Sequence, residues 1–414
     1  MVDVWLPYGK TEVHARVTSE NLMEIVGVRE GSGIKDASQE IENTVKETTF
    51  PEGLAEVAKS GGKIVLVLNV PDIFLAKLAA SSVMRLAEKT CTKSCDLTVL
   101  LTNNPFAPKA SSVIDPLKEE ISSLGANVVT HNPLNDNIYV CDTQSGVKVY
   151  LSRAFYEADA KIVVSTVEPN PYILYNCCES GIAFGLTSLE TIKGILTPIL
   201  DAGDLQERAF REAIEISKIA KVDFSIGIVR NFRGEVTKCF AGSPEDTLHK
   251  SVDLADSLYR VTFGKEPDIV VISPGGAPFD DDVLSACGCL ENAIKVVKRN
   301  GIIILVAECS EGYGGTCFRQ VIRRVKGDLT QLERILESDF SVDGFISYRF
   351  LRALKRASIL MVSAIPNYYV SEIPGLKVFR TLNDALNYAL SKLGTKAKIA
   401  VIPHGNHIIL TNKE

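Results

Sequence analysis

Short apolar runs recur along the chain, each followed by a polar or glycine-bearing turn and then a segment whose apolar residues repeat with helical spacing. This alternation marks parallel strands joined by crossover helices and predicts an α/β fold. Lys63–Asn69 reads as a strand that runs through Val70-Pro71-Asp72 into a helix over 73–86. Asp96–Leu101 is a second strand, 115–124 a helix closed by Gly125, and 126–130 and 161–165 continue the series. Residues 222–229 and 235–240 flank a polar turn ending in Gly234 and read as a hairpin, with a helix over 244–258 after it. Beyond Phe263-Gly264-Lys265-Glu266-Pro267 a new series begins: a strand over 268–273, a turn over 274–278, a helix over 280–299, a strand over 301–307, and further units to about Ile402. The expected organisation is two α/β domains with mostly parallel sheets, 1–264 and 265–403. The tail 404–414 could end in a strand of either domain.

The 414 residues carry 45 Lys plus Arg against 51 Asp plus Glu, a net charge of -6, so nucleic acid is an unexpected partner. No apolar run approaches the roughly 20 residues of a membrane helix. The first residues lack a basic region followed by an apolar core, so the cytoplasm is the expected location. Ten irregularly spaced cysteines then read as reduced thiols rather than a disulfide framework.

In parallel sheets ligands bind beyond the carboxyl ends of the strands, which directs attention to the loops there. They are Asn69-Val-Pro-Asp72, Thr102-Asn103-Asn104-Pro105, Val167-Glu168-Pro169-Asn170, and the glycine loops at Gly275-Gly276 and Gly312-Tyr313-Gly314-Gly315. Asp72 either caps the following helix or faces a ligand, and the asparagines fit a turn as well as a site. Asp280 reads as a helix N-cap, with Asp281 and Asp282 favouring the helix dipole. The glycine loops fit phosphate or carboxylate, but their spacing matches neither a dinucleotide fingerprint nor a P-loop. Glu308 suits a ligand hydroxyl better than a phosphate. The five histidines form no metal-ligand pattern, and His404 and His407 read as surface residues. Cys91, Cys95, Cys177, Cys178, Cys287 and Cys289 read as structural thiols.

Leu6-Pro-Tyr-Gly-Lys10, Glu157-Ala-Asp159 through Glu168-Pro169, the hairpin ending in Phe240-Ala-Gly242, and Gly275-Gly-Ala-Pro-Phe-Asp280 occur in an order and spacing that resemble the nickel-dependent lactate racemase family along nearly the whole chain. The resemblance implies two α/β domains, a hinge near residue 265 and a cleft between the domains. It also implies a nickel-pincer nucleotide tethered to a lysine, hydride transfer that inverts a 2-hydroxy acid, and two histidines that exchange the hydroxyl proton.

At the chemical positions the chain departs from that pattern. The family's Glu-Pro-His corresponds to Glu168-Pro169-Asn170, and Gly-Tyr-Ser-Gly-Gly-x-Lys to Leu174-Tyr-Asn-Cys-Cys-Glu-Ser180, so asparagine replaces the catalytic histidine and serine the tethering lysine. The downstream nickel-binding histidine has no counterpart. Asp72 is kept, but Leu75 stands for the carboxylate-gripping arginine; Gly-x-His reads Thr102-Asn-Asn104, and Tyr-Gln-x-x-Lys falls on Leu284-Ser285-Ala-Cys-Gly288. The expected protein is a divergent, non-racemising member of the family that binds a small anionic metabolite, as a homo-oligomer or partner subunit. Candidate contacts are Asp72, Thr102, Asn104, Glu168, Asn170, Ser180, Gly275, Gly276, Asp280, Ser285, Glu308 and Gly312. The competing reading is an isomerase or lyase with another cofactor arrangement, using Asp72, Glu168, Glu179 and Cys177-Cys178. An ordinary lactate racemase would need the correspondence to fail at several separate motifs.

Overall fold

The computed structural model describes residues 1–48, 52–90, 96–106, 110–370, 373 and 375–411. The chain forms two compact units, and they are not divided at one point in the sequence. One unit comprises Glu30–Ile199 and Asp204–Leu258; the other comprises Met1–Arg29, Leu200–Gly203 and Tyr259–Glu414.

The first unit is built on a sheet with the order Val236–Gly242, Phe224–Arg230, Ala160–Asn170, Lys63–Asn69, Asp96–Leu101, Asn127–Thr130. All neighbours are parallel except the edge pair, Phe224–Arg230 with Val236–Gly242, which is the expected hairpin. After Lys63 every residue of the central strand is buried, as a parallel strand covered on both faces requires. Helix Ile73–Thr90 buries Ala76, Ala79, Ala80, Val83 and Ala87, and these small side chains let it lie close to its neighbours. The chain moves from Lys63–Asn69 outward to one side through the next two strands, then returns to the other side with Ala160–Asn170. Strand order therefore reverses between those two central strands, the position in parallel sheets where the carboxyl ends of strands hold ligands.

Three segments differ from expectation here. Ala160–Asn170 runs five residues past 165, because Leu174–Asn176 folds back on it, pairing Asn170 with Leu174 and Glu168 with Asn176. Glu168-Pro169-Asn170 is thus strand, not loop, and the short Leu174–Asn176 pairing that makes it so carries no period of its own. The helix expected over 115–124 spans Ala110–Ser122 with Pro116 inside it. Cys91 and Cys95 lie outside the described residues.

The second unit has a parallel sheet with the order Lys377–Phe379, Ser358–Val362, Ile302–Val306, Ile269–Ile272, Ile399–Ile402, Leu22–Ile25. Its last strand and the hairpin Val2–Tyr8 with Thr11–Val17 come from the first 29 residues, which the sequence reading had placed in the other domain. Four mixed residues, Leu22-Met-Glu-Ile, are too short to announce a sheet edge. The tail joins this unit: Ile409–Thr411 pairs with Arg260–Thr262. The helix expected over 280–299 breaks into Val283–Ala286, a tighter turn Cys287–Cys289, and Leu290–Val296. The break falls at Gly288, a poor helix interior residue. A buried ion pair, Arg349 to Glu291 at 2.8 and 2.5 Å, ties two helices of the unit, and Arg349 also donates to Leu200 O and Ala202 O.

Among the described residues no helix is long and apolar enough to cross a membrane, and no group of His, Cys, Asp and Glu is arranged to hold a metal ion.

Candidate functional site

At the reversal point of the first unit Asn69, Thr102, Ser165, Cys177 and Ser180 form one hydrogen-bonded group, Asn104 and Asn176 form a second pair, and Glu168 and Asn170 lie on the strand Ala160–Asn170. Asn69, at the end of the central strand, donates to Ser165 Oγ at 2.9 Å and to Cys177 O at 3.2 Å, and accepts from Thr102 Oγ1 at 3.0 Å. Glycine at 181 makes room for this amide: a Cβ there would stand 2.6 Å from Asn69 Cγ. Gly185 does the same for Thr102.

The residues at the family's chemical positions are engaged with backbone. Asn170 Oδ1 accepts from the Tyr172 and Ile173 N–H groups at 3.0 and 3.3 Å, and its Nδ2 donates to Phe106 O at 3.2 Å. Asn104 Oδ1 accepts from the Phe106 N–H at 3.0 Å, with Nδ2 3.5 Å from Asn176 Oδ1. Ser180 has no exposed surface; its Oγ accepts from the Cys177 N–H at 2.9 Å, and its hydroxyl lies 3.3 Å from Cys177 O. That reach-back from the third helical position caps helix Cys178–Gly185, every residue of which is buried. Asp72 settles as a cap too, with Oδ1 accepting from the Leu75 N–H at 2.9 Å.

Acid and base chemistry is limited by burial. The Cys177 and Cys178 thiols are pushed well up by desolvation, with Glu179 reinforcing the effect, so neither is a thiolate near neutral pH. Burial also raises the Glu179 carboxyl, against a smaller opposing bond to Cys177. Glu168 is held by Arg230 at 2.6 Å, in a pair whose side chains are only 11% and 13% exposed. Arg230 and Ser165 were not foreseen as site residues; the one hint was that each closes or interrupts an apolar strand with a polar side chain at the carboxyl-end side. His131 follows the strand Asn127–Thr130, is buried, and has Nε2 3.0 Å from Thr187 O.

The other expected residues lie in the second unit, also at carboxyl ends of strands. Asp280 is not a helix cap: it is fully buried, and Oδ2 accepts from the Gly9 and Glu308 N–H groups at 2.7 and 3.1 Å. The cap is Asp282, which accepts from the Ser285 N–H at 2.7 Å. The two aspartates differ because a turn over 276–280, closed by the Phe279 N–H donating to Gly276 O at 2.8 Å, delays the helix start to Val283, which leaves Asp282 at the cap and Asp280 in the turn. Gly276 has φ +78°, and a Cβ there would meet Gly9 O at 2.8 Å, so this loop packs against the tight turn of the N-terminal hairpin. The Glu308 carboxylate fills the hollow left by Gly9 and, after burial itself, helps push the Tyr8 phenol up to about 12. Gly275 has φ +125° and lies beside the His404 and His407 rings. Those histidines are not surface residues: His407 is 7% exposed, and burial lowers the His404 imidazole. They sit in the turn after Ile399–Ile402, packed at the sheet end. Gly312, with φ +83°, lies in the turn that precedes helix Thr316–Val325.

Two family models match, the lactate racemase N-terminal domain over residues 8–195 and the lactate racemase C-terminal domain over 263–410. The chain belongs to the lactate racemase family. A lactate racemase of Thermoanaerobacterium thermosaccharolyticum is 23% identical over the full length of both chains, and one of Lactiplantibacillus plantarum is 22% identical over 99% of this chain and all of the relative. The fold matches the lactate racemase apoprotein of T. thermosaccharolyticum with a TM-score of 0.87, at 20% identity over 99% of this chain and 100% of the other. A Thermotoga maritima protein matches more loosely, with a TM-score of 0.59, 13% identity and 90% and 98% coverage. This lactate racemase fold accounts for both sheets.

Proposed function

We propose that this chain is a lactate racemase family protein that does not carry the family cofactor by its usual tether and instead binds a small carboxylate at the strand ends of the first unit. The observation that carries the reading is Ser180. At the position where the resemblance puts the tethering lysine stands a side chain with no amine, fully buried and occupied in capping its own helix. Asn170, at the position of the catalytic histidine, is a neutral amide held by three backbone groups and offers no base. The residues present do not fit a nickel-pincer nucleotide.

For the ligand, Arg230 supplies the guanidinium of the cluster, already oriented by Glu168, and a guanidinium fork is suited to a carboxylate. The competing thiol or carboxylate enzyme is less favoured, because Cys177 and Cys178 are buried with raised thiols. The test is a thermal shift with D-lactate, L-lactate and other short 2-hydroxy acids. A ligand at 100 times its Kd stabilises by about 2.7 kcal/mol, which moves the melting point measurably. The expected result is a shift for at least one acid that Arg230→Gln abolishes. No shift with any of them, or an undiminished shift in R230Q, contradicts the proposal.

A further inference from the structure

A second cavity lies within the first unit, built from other residues. One wall is the helix Leu189–Leu196 with the turn Thr197–Ile199, presenting Glu190, Lys193, Gly194 and Thr197. The facing wall is helix Leu205–Ala220, presenting Arg208, Arg211, Glu212 and Glu215. Each set follows the spacing i, i+3, i+4, i+7, which places its members on one helical face. The hairpin turn before Lys148 closes one side, anchored by the Gln144 N–H donating to Glu215 Oε1 at 2.6 Å. Gly194 permits that closure: a Cβ there would come within 3.0 Å of Val147 Cγ1. The space is about 830 Å³, within the roughly 300–1,000 Å³ of small-molecule sites.

Its charge is mixed and ordered. Along the wall Leu205–Ala220 the cations Arg208 and Arg211 precede the acids Glu212 and Glu215 by one turn. With a rise of about 1.5 Å per residue, Arg208 and Glu212, and likewise Arg211 and Glu215, are displaced by roughly 6 Å along the helix axis. Arg208 is held at 2.9 Å by Asp204, its partner one turn back, which leaves Arg211 as the cation of this wall for a ligand anion. Lys148 and Lys193 add positive charge, and Glu190 negative, so neither sign dominates. A polyanion would meet three glutamates and a polyamine four basic side chains, whereas a molecule with one charge of each sign a few ångströms apart satisfies both.

We infer that this cavity is a binding site for a small zwitterion, a free amino acid or a dipeptide with both termini unblocked. The carboxylate lies toward Arg211 and the ammonium toward the glutamate end. This site is independent of the strand-end cluster and of the reading given to it.

The test is a thermal-shift panel on the full chain of the common amino acids and simple dipeptides such as Gly-Gly and Ala-Ala, each beside its N-acetylated or C-amidated form, followed by calorimetric titration of the strongest binder. The expected result is a shift with an unblocked zwitterion, lost on blocking either terminus. Affinity should fall tenfold or more in Arg211→Gln and in Glu212→Gln and stay unchanged in Arg230→Gln, which belongs to the other site. Absence of any shift across the panel overturns the inference, as does equal binding of blocked and unblocked forms or full affinity in both cavity variants. Circular dichroism spectra matching wild type establish that the variants fold.

Discussion

Ser180→Lys reinstates the amine that the family resemblance places at this position, and the packing predicts that the protein will not accept it. Ser180 has no exposed surface and lies in a helix with no exposed residue. Removing its hydroxyl alone, in Ser180→Ala, deletes the reach-back bond to the Cys177 N–H and costs about 1 kcal/mol. The lysine loses that bond and must also drive a longer chain into filled space, at about 1–3 kcal/mol. An ammonium buried without a partner adds several kcal/mol. Glu179 does not neutralise it, because successive helix residues point about 100° apart. The expected loss for S180K is therefore at least about 4 kcal/mol. For a unit of this size 1 kcal/mol corresponds to roughly 2–4 °C in melting temperature. Differential scanning calorimetry should find S180A within about 4 °C of wild type and S180K lower by about 10 °C or more, or insoluble. An S180K protein that melts within a few degrees of wild type would refute the reasoning, since it would mean that side chain 180 has an open route out of the helix.

Three further outcomes follow from the same structure. Glu291→Ala removes the carboxylate that neutralises the Arg349 guanidinium, which is 2% exposed, so it should destabilise its unit by about 3–5 kcal/mol, and Glu291→Ala with Arg349→Leu should recover part of that loss. Urea denaturation followed through Trp5, the one tryptophan, which lies in the same unit, measures both. Burial holds the His131 imidazole below its ordinary range, outweighing the bond to Thr187 O. The unfolded chain then binds a proton that the folded one refuses, so stability falls as pH drops below about 6.5, and His131→Gln should lessen the difference between urea midpoints at pH 7.5 and 5.5. Equal pH dependence in both proteins would contradict it. In the native protein a thiol reagent should label Cys141 and Cys317, which are partly exposed, well before Cys177 and Cys178; peptide mass mapping reads the order.

Much of the fold was legible because each parallel strand announces itself as an apolar run. Lys63–Asn69 and Asp96–Leu101 appear with the bounds that the sequence suggests. Pairings between distant segments were not legible, and they decided the rest. Glu168-Pro169-Asn170 became strand only through Leu174–Asn176, and Leu22–Ile25 entered the second sheet only through its pairing with Ile399–Ile402. The candidate site was legible as a set of strand ends. What each side chain does there was not, since whether an amide faces a ligand or its own backbone depends on neighbours such as Phe106 and Cys177 that no local spacing reveals. Asp280 and Asp282 illustrate the same point: three aspartates before a helix offer three caps, and the register of the loop chooses one.

The central claim is that this member of the lactate racemase family kept the scaffold without the usual cofactor tether. It is tested most directly by producing the chain together with the enzymes that make the nickel-pincer nucleotide, then measuring its intact mass and its nickel content. An unmodified mass with no stoichiometric nickel is the predicted result. A stoichiometric adduct mapped to any residue of the chain, with one nickel bound, would contradict it.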